Sequence, residues 1–298
     1  MRIRATVAAV TGALALTALA VPAAQAAGSS APSRADYRTD ATKAFAASHS
    51  AGSGITAFST AADTTDGPDV TFSNLKIASA IKVGTTNMVA TTVTYTMTHG
   101  ADVDITSDDF ATGPYIYKGT FDSPSNAALG DEAATCTATS STTANCKGDI
   151  DIRPAEGDLV NADAGTWSAG ALAITYSNQG ETDQGSLGTT KVQRYSKLTV
   201  NAGPEPVYKG KTVTSTGKLS RANWEDNEYH GYTVQPVKLQ FRKAGTSTYT
   251  TIKTVNSDSY GNVKATATAT YDGYWRFSFA GTTTTPAVSA AGDYVDVK

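Results

Sequence analysis

The stretch Val237-Lys238-Leu239-Gln240-Phe241-Arg242 decides the fold class. Apolar and polar residues alternate with a period of two, so Val237, Leu239 and Phe241 share one face of a strand while Lys238, Gln240 and Arg242 share the other. Downstream, Tyr274-Trp275-Arg276-Phe277-Ser278-Phe279 repeats the pattern, with Trp275, Phe277 and Phe279 facing a core. Ala265 to Thr270 is a strict Ala/Thr alternation whose small alanines face inward. Between these runs, Asp258-Ser259-Tyr260-Gly261-Asn262 is turn chemistry, because glycine adopts positive φ without steric cost.

The same period extends upstream. Val70 and Phe72 alternate; Val89, Val93, Tyr95 and Met97 share one parity against Thr92, Thr94, Thr96 and Thr98. Tyr115, Tyr117 and Phe121 follow, then Ile150 and Ile152, then Leu172, Ile174 and Tyr176, then Leu198 and Val200. No segment of this region holds a 3.6-residue period. A Thr-rich chain with 26 Gly, 14 Tyr and only 17% charged residues fits pleated surfaces better than helices. The expectation is an all-β protein of two immunoglobulin-like antiparallel β-sandwiches in tandem. A boundary falls at Asn201-Ala-Gly-Pro-Glu-Pro206, where two prolines and a glycine read as a short stiff linker. Charge changes there too: residues 27–203 carry 11 basic and 19 acidic groups, residues 204–298 carry 11 and 8.

The N-terminus is targeting sequence. Arg2 and Arg4 precede an apolar run from Val7 to Val21, and Ala24-Gln25-Ala26 supplies the small residues a signal peptidase requires. Residues 1–26 are therefore expected to be a signal peptide, residues 27–68 a flexible arm, residues 69–202 an acidic sandwich and residues 203–298 a second sandwich. Within the arm, Arg34 to Ser48 can form a short helix. The chain is expected to be secreted, extracellular or loosely associated with the cell wall. In an oxidising compartment, Cys136 and Cys146 on a hairpin with its tip near Ser140-Ser141-Thr142 should pair as a disulfide.

Several stretches carry a family likeness. Tyr208-Lys-Gly-Lys-Thr-Val, Gly217-Lys-Leu, Val237-Lys-Leu-Gln-Phe-Arg, Gly245-Thr-Ser-Thr-Tyr and Asp272-Gly-Tyr-Trp-Arg-Phe resemble the Ig-like repeat of secreted proteins from filamentous actinobacteria. The preceding module, with Gly165-Thr-Trp and its Cys pair, resembles the domain often found in front of that repeat. The likeness implies exported β-sandwiches, sometimes described as calcium-binding. It transfers no catalytic residues.

Composition excludes several roles. With 24 basic against 27 acidic residues there is no excess positive charge for nucleic acid, and no apolar span after the leader for a membrane. His49, His99 and His230 lie in no nucleophile motif, and no P-loop, H-E-x-x-H or G-x-S-x-G is present, so the chain reads as non-enzymatic. Two binding features stand out. Asp102, Asp104, Asp108 and Asp109 form an acidic cluster that could supply calcium oxygens, against the alternative of a solvated acidic face; no other cofactor is implied. Asp149, Asp151, Glu156, Asp158 and Asp163 form a second acidic group. Trp224, Tyr229 and Tyr232, beside His230, either form a platform for sugar rings or, in the preferred reading, fold Trp224 back as a lid on a core. Trp167 and Trp275 are expected to be core anchors. The overall reading is a secreted binding or structural module acting at or near the bacterial surface, with an envelope or secreted protein or a cell-wall glycan as partner.

Overall fold

The first sandwich pairs β1 (Val70–Lys76), β3 (Val89–His99), β7 (Thr143–Ile152) and β6 (Thr135–Ser140) in one antiparallel sheet. The facing sheet runs β2 (Ile81–Val83), β9 (Gly180–Arg194), β8 (Gly165–Thr175), β4 (Phe110–Gly119) and β5 (Pro124–Leu129). This computed structural model describes residues 37–49 and 67–298. The expected signal peptide and the remaining stretches of the expected arm lie outside the described residues. All pairing between strands of this sandwich is antiparallel except β2 with β9, which is parallel.

The second sandwich centres on β12 (Thr212–Asn223), flanked by β11 (Asn201–Gly203) and β16 (Asn262–Thr268) along its first half and by β10 (Ser196–Leu198) and β13 (Glu228–Gly231) along its second. Opposite it lie β15 (Thr250–Asn256), β14 (Pro236–Lys243) and β17 (Gly273–Phe279), with β18 (Val288–Ser289) and β19 (Asp293–Val295) on the far edge of β17. The period-two reading holds here. Val237, Leu239, Trp275, Phe277, Phe279, Ala265 and Ala269 are buried in one core. The turn behaves as its residues dictate: Asp258 Oδ1 accepts from the Tyr260 and Asn262 amides, both at 2.8 Å, and Gly261 sits at φ +81°.

Two expectations need correction. The second sandwich starts before the Gly-Pro stretch, because β10 and β11 already pair with β12 and Leu198 and Ala202 belong to its core. Asn201–Gly203 is therefore a strand of the second sheet, not a spacer between two bodies. The short helix expected within Arg34 to Ser48 forms as α1, Tyr37–His49, but it is docked rather than part of a flexible arm, with Tyr37, Ala41 and Phe45 buried. These residues recur at i, i+4 and i+8 and so fall on one face of the helix.

That face lies on the outer surface of the β4–β8 sheet. Tyr115, Tyr117, Leu129, Leu172 and Ile174 pack with Tyr37, Ala41 and Phe45, while Ile116 and Ala169 point the other way into the sandwich. The tyrosines and leucine that a two-faced strand would turn inward instead meet the helix. Glycine makes room for it: a Cβ at Gly113 would lie 2.1 Å from the Tyr37 hydroxyl.

Candidate functional site

Cys136 and Cys146 are register partners on β6 and β7 and form a disulfide with sulfurs 2.00 Å apart. The hairpin turns between Ser140 and Thr143, where the sequence placed it. Trp167 is 1% exposed and donates from Nε1 to the Asp163 carbonyl at 2.7 Å, and Trp275 is 3% exposed. Both are core anchors.

The acidic cluster is not assembled into one site. Asp104 Oδ1 accepts from the Thr106 amide at 2.9 Å and its hydroxyl at 2.7 Å, which holds the carboxyl below its usual range. Asp109 is turned away to accept from the Ser177 amide and hydroxyl, both at 2.6 Å. Asp102 lies instead near Asp69, both within 3.0 Å of where a Gly100 Cβ would sit. Among the described residues no three acidic, His or Cys side chains converge as metal ligands. Of the candidate calcium residues, Asp104 is thus held by a local turn bond and Asp109 by a bond to a distant segment, neither of which period-two reading registers.

In the second acidic group Asp151, Asp158 and Asp163 are internal hydrogen-bond acceptors, and Asp131 beside them joins α1 to the sheet. Asp131 bonds both Arg38 of α1, at 2.7 Å, and Arg153. Burial would raise its carboxyl, but hydrogen bonds from Arg153 and Arg38 hold it below the ordinary range. Asp158 accepts from the Arg153 amide at 2.7 Å and Asp151 from the Asp131 amide at 2.9 Å. Asp163 accepts from the Val160 amide and the Asn126 side chain.

The aromatic group does not form an exposed sugar platform. Trp224 is 2% exposed and is buried with Ile81, Val83, Ile152, Leu159 and Trp167, which are core residues of the first sandwich. Its indole Nε1 donates to the Gly84 carbonyl at 2.9 Å and its amide to Asn161 Oδ1 at 3.1 Å. Tyr229 is half-buried under the Lys197 ammonium at 3.5 Å from its centroid. Tyr232 is covered by the Arg221 guanidinium at 3.9 Å and meets Phe279 edge-on. Trp224 is indeed a lid, but over the neighbouring sandwich; the sequence shows its burial chemistry and not which core receives it.

More bonds lock the same junction. Gln193 Nε2 of β9 donates to the Thr282 carbonyl at 2.9 Å, and Arg194 Nε to that of Ala222 at 2.6 Å. Burial, with the nearby Arg221 charge, lowers Arg194 to about 10.

Two arrangements escaped the sequence reading. Under α1, His49 Nε2 lies 2.9 Å from Asp183, and Glu181 stands beside them with its carboxyl raised to about 7 by burial and then by the Asp183 charge. His99 and His230 sit elsewhere, against the Gly100 carbonyl and Asp226. On the second sandwich, the outward face of β14, β17 and β19 is paved with alternating guanidinium and phenol groups. Arg242 is the register partner of Tyr274, and Tyr274 that of Tyr294. The Arg242 guanidinium lies 4.1 Å from the Tyr274 ring centre, and that of Arg276 lies 3.7 Å from the Tyr249 ring. The signal was present in the sequence, as the polar parity of Val237–Arg242 and Tyr274–Phe279, but a polar face reads as solvated surface until its side chains are seen stacked.

No protein-family model and no curated protein matches the chain. Among solved structures, a chimeric titin Z1Z2–Z1Z2 tandem is similar at 12% identity over 75% of this chain and 99% of that one, with a TM-score of 0.27. The D0–D1 domain of intimin is similar at 17% identity over 76% and 98%, with a TM-score of 0.26. A marsupial T cell receptor is similar at 13% identity over 76% and 73%, also at 0.26. The strands and their pairing define the class: an all-β chain of two successive β-sandwiches. Among the described residues no helix is long and apolar enough to cross a membrane.

Proposed function

We propose that the chain is a secreted, non-enzymatic binding or structural module acting at or near the bacterial cell surface, and that its two sandwiches act as one rigid body. The observation that carries this reading is Trp224, an aromatic side chain of the second sandwich buried in the core of the first. A tandem locked this way holds its exposed sheet faces at a fixed angle, which lowers the entropy cost of engaging an extended partner. The leader-like sequence at residues 1–26 and the Cys136–Cys146 bridge support export. The partner is an envelope or secreted protein or a cell-wall glycan.

The test is to express the chain from Met1 in a secreting Gram-positive host, sequence the N-terminus of the protein in the medium, and measure its association with intact cells. The expected result is a mature protein starting at Ala27 that sediments with cells. An uncleaved cytoplasmic product would overturn the export reading, and a mature protein that stays wholly in the supernatant would overturn the surface role.

A further inference from the structure

The outward face of β14, β17 and β19 has the chemistry of a ligand site. Each guanidinium is sandwiched or capped by a phenol: Arg242 lies 4.1 Å from the Tyr274 ring and 5.3 Å from that of Tyr249, and Arg276 lies 3.7 Å from Tyr249. Tyr274 and Tyr294 continue the row with ring centres 5.2 Å apart. Arg276 Nε donates to Gln240 Oε1 at 2.8 Å and Arg242 donates to the Thr246 carbonyl. Among the described residues neither guanidinium takes part in an ion pair. Asp272 accepts from the Val297 amide and Asp293 from the Ala202 amide, while Asp272 and Asp296 stand close enough to the Tyr294 end of the row to act on its hydroxyl, which places the anion-binding part of the face at Arg242 and Arg276. Each guanidinium offers five N–H donors, so both retain unused ones.

We infer that this Arg242–Arg276–Tyr274–Tyr294 face binds an acidic polysaccharide, with carboxylates of the polymer taken by the two guanidinium forks and its sugar rings lying on the phenol faces. The inference deepens the reading of the chain as a binding module and rests on it. Stacking fixes each fork in place, so little side-chain freedom is lost when a planar carboxylate docks on it. Adjacent strands are spaced about 4.8 Å apart, so the row Arg242–Tyr274–Tyr294 forms a track running across three strands, suited to a linear chain of rings. Charge favours an anion at this end, since residues 204–298 carry 11 basic and 8 acidic groups while the preceding module is acidic. Nucleic acid fits less well, because two guanidiniums are few against the many phosphate contacts by which proteins hold a polyphosphate backbone. Tyr and Arg also anchor protein interfaces, so the polyglutamate probe below, an acidic chain without sugar rings, separates an acidic peptide from an acidic polysaccharide.

Affinity electrophoresis and calorimetry on the full mature protein, disulfide intact, would use polygalacturonate, neutral dextran, polyglutamate and duplex DNA as probes. Polygalacturonate alone should retard the wild type, and Arg242→Gln with Arg276→Gln should weaken that binding by about tenfold or more, the loss expected for two charge-assisted hydrogen-bonding groups. Tyr294→Ala, at a residue 39% exposed, should weaken it with the two-sandwich fold intact by circular dichroism, and decides the matter if the double variant melts early. Equal binding of polyglutamate or DNA, binding of dextran, no binding of polygalacturonate, or unaffected variants would each overturn the assignment. The same samples assayed for cell association separate the two readings: retained association without polygalacturonate binding sinks this site alone, whereas loss of both sinks the module's binding role as well.

Discussion

Trp224 shows how one side chain sets the relation between two domains. Its ring fills a place in the first core and its indole N–H is satisfied by Gly84, so truncation leaves both a cavity and an orphaned carbonyl. Trp224→Ala should cost about 3–5 kcal/mol and split the thermal transition in two, as the second sandwich loses its grip on the first. A single unshifted transition in calorimetry would contradict the lock. The disulfide acts at the same scale but more locally. It closes a loop of sequence separation 10, so replacing Cys136 and Cys146 by Ala should cost about 2–3 kcal/mol, read as a lowered denaturation midpoint with the two-sandwich fold intact.

At the scale of the element, α1 explains a strand that breaks the alternation rule. Residues Phe110 to Tyr117 are buried throughout, because one face of β4 meets the opposite sheet and the other meets the helix. The helix also covers Glu181, around which stand Tyr37, Ser48 and His49 of α1, Tyr115 and Tyr117 of β4, Asp183 of β9, and Tyr176. A carboxyl whose folded value rises from 4.5 to about 7 keeps its proton in the folded state where the unfolded chain has lost it. The folded state therefore binds more protons across that window, and stability falls as pH climbs from about 4.5 through about 7. Glu181→Gln should flatten that decline. Since the side chain is partly exposed, the gain at pH 8 is discounted to about 1–2 kcal/mol. Melting curves of the two proteins at acidic and alkaline pH check it, and parallel pH profiles would refute it.

For the whole molecule, the acidic surface of the first sandwich is consumed by internal bonds. Asp104 closes a turn, Asp109 holds the distant Ser177, and Asp131 and Asp158 tie α1 and Arg153 to the sheet. A bound calcium ion would add about 1–3 kcal/mol at millimolar concentration. With Asp104 held by Thr106, Asp109 by Ser177 and Asp102 beside Asp69, the melting midpoint should be the same in chelator, calcium and magnesium. A rise in calcium alone would restore a metal role for the Asp102–Asp109 loop.

What the sequence by itself determined is local. Period two in Val237–Arg242 and Tyr274–Phe279 dictated strands and named their buried faces, Asp258–Asn262 dictated a turn, and the spacing of Cys136 and Cys146 dictated a hairpin clasp, because each depends on a few neighbouring residues and backbone geometry. What only the tertiary structure decided is which surfaces meet. Leu172 and Tyr115 carry the same apolar signal whether they face a sheet or a helix, and Trp224 the same whether it caps its own sandwich or the next. Asp104 and Asp109 are close in sequence, yet hydrogen bonds to Thr106 and Ser177 turn them apart. Arg242 and Tyr274 are far apart in sequence, yet strand register places them side by side. Hydrophobic burial is non-directional, so it fixes that a side chain is covered and leaves the choice of cover to the packing of the whole chain.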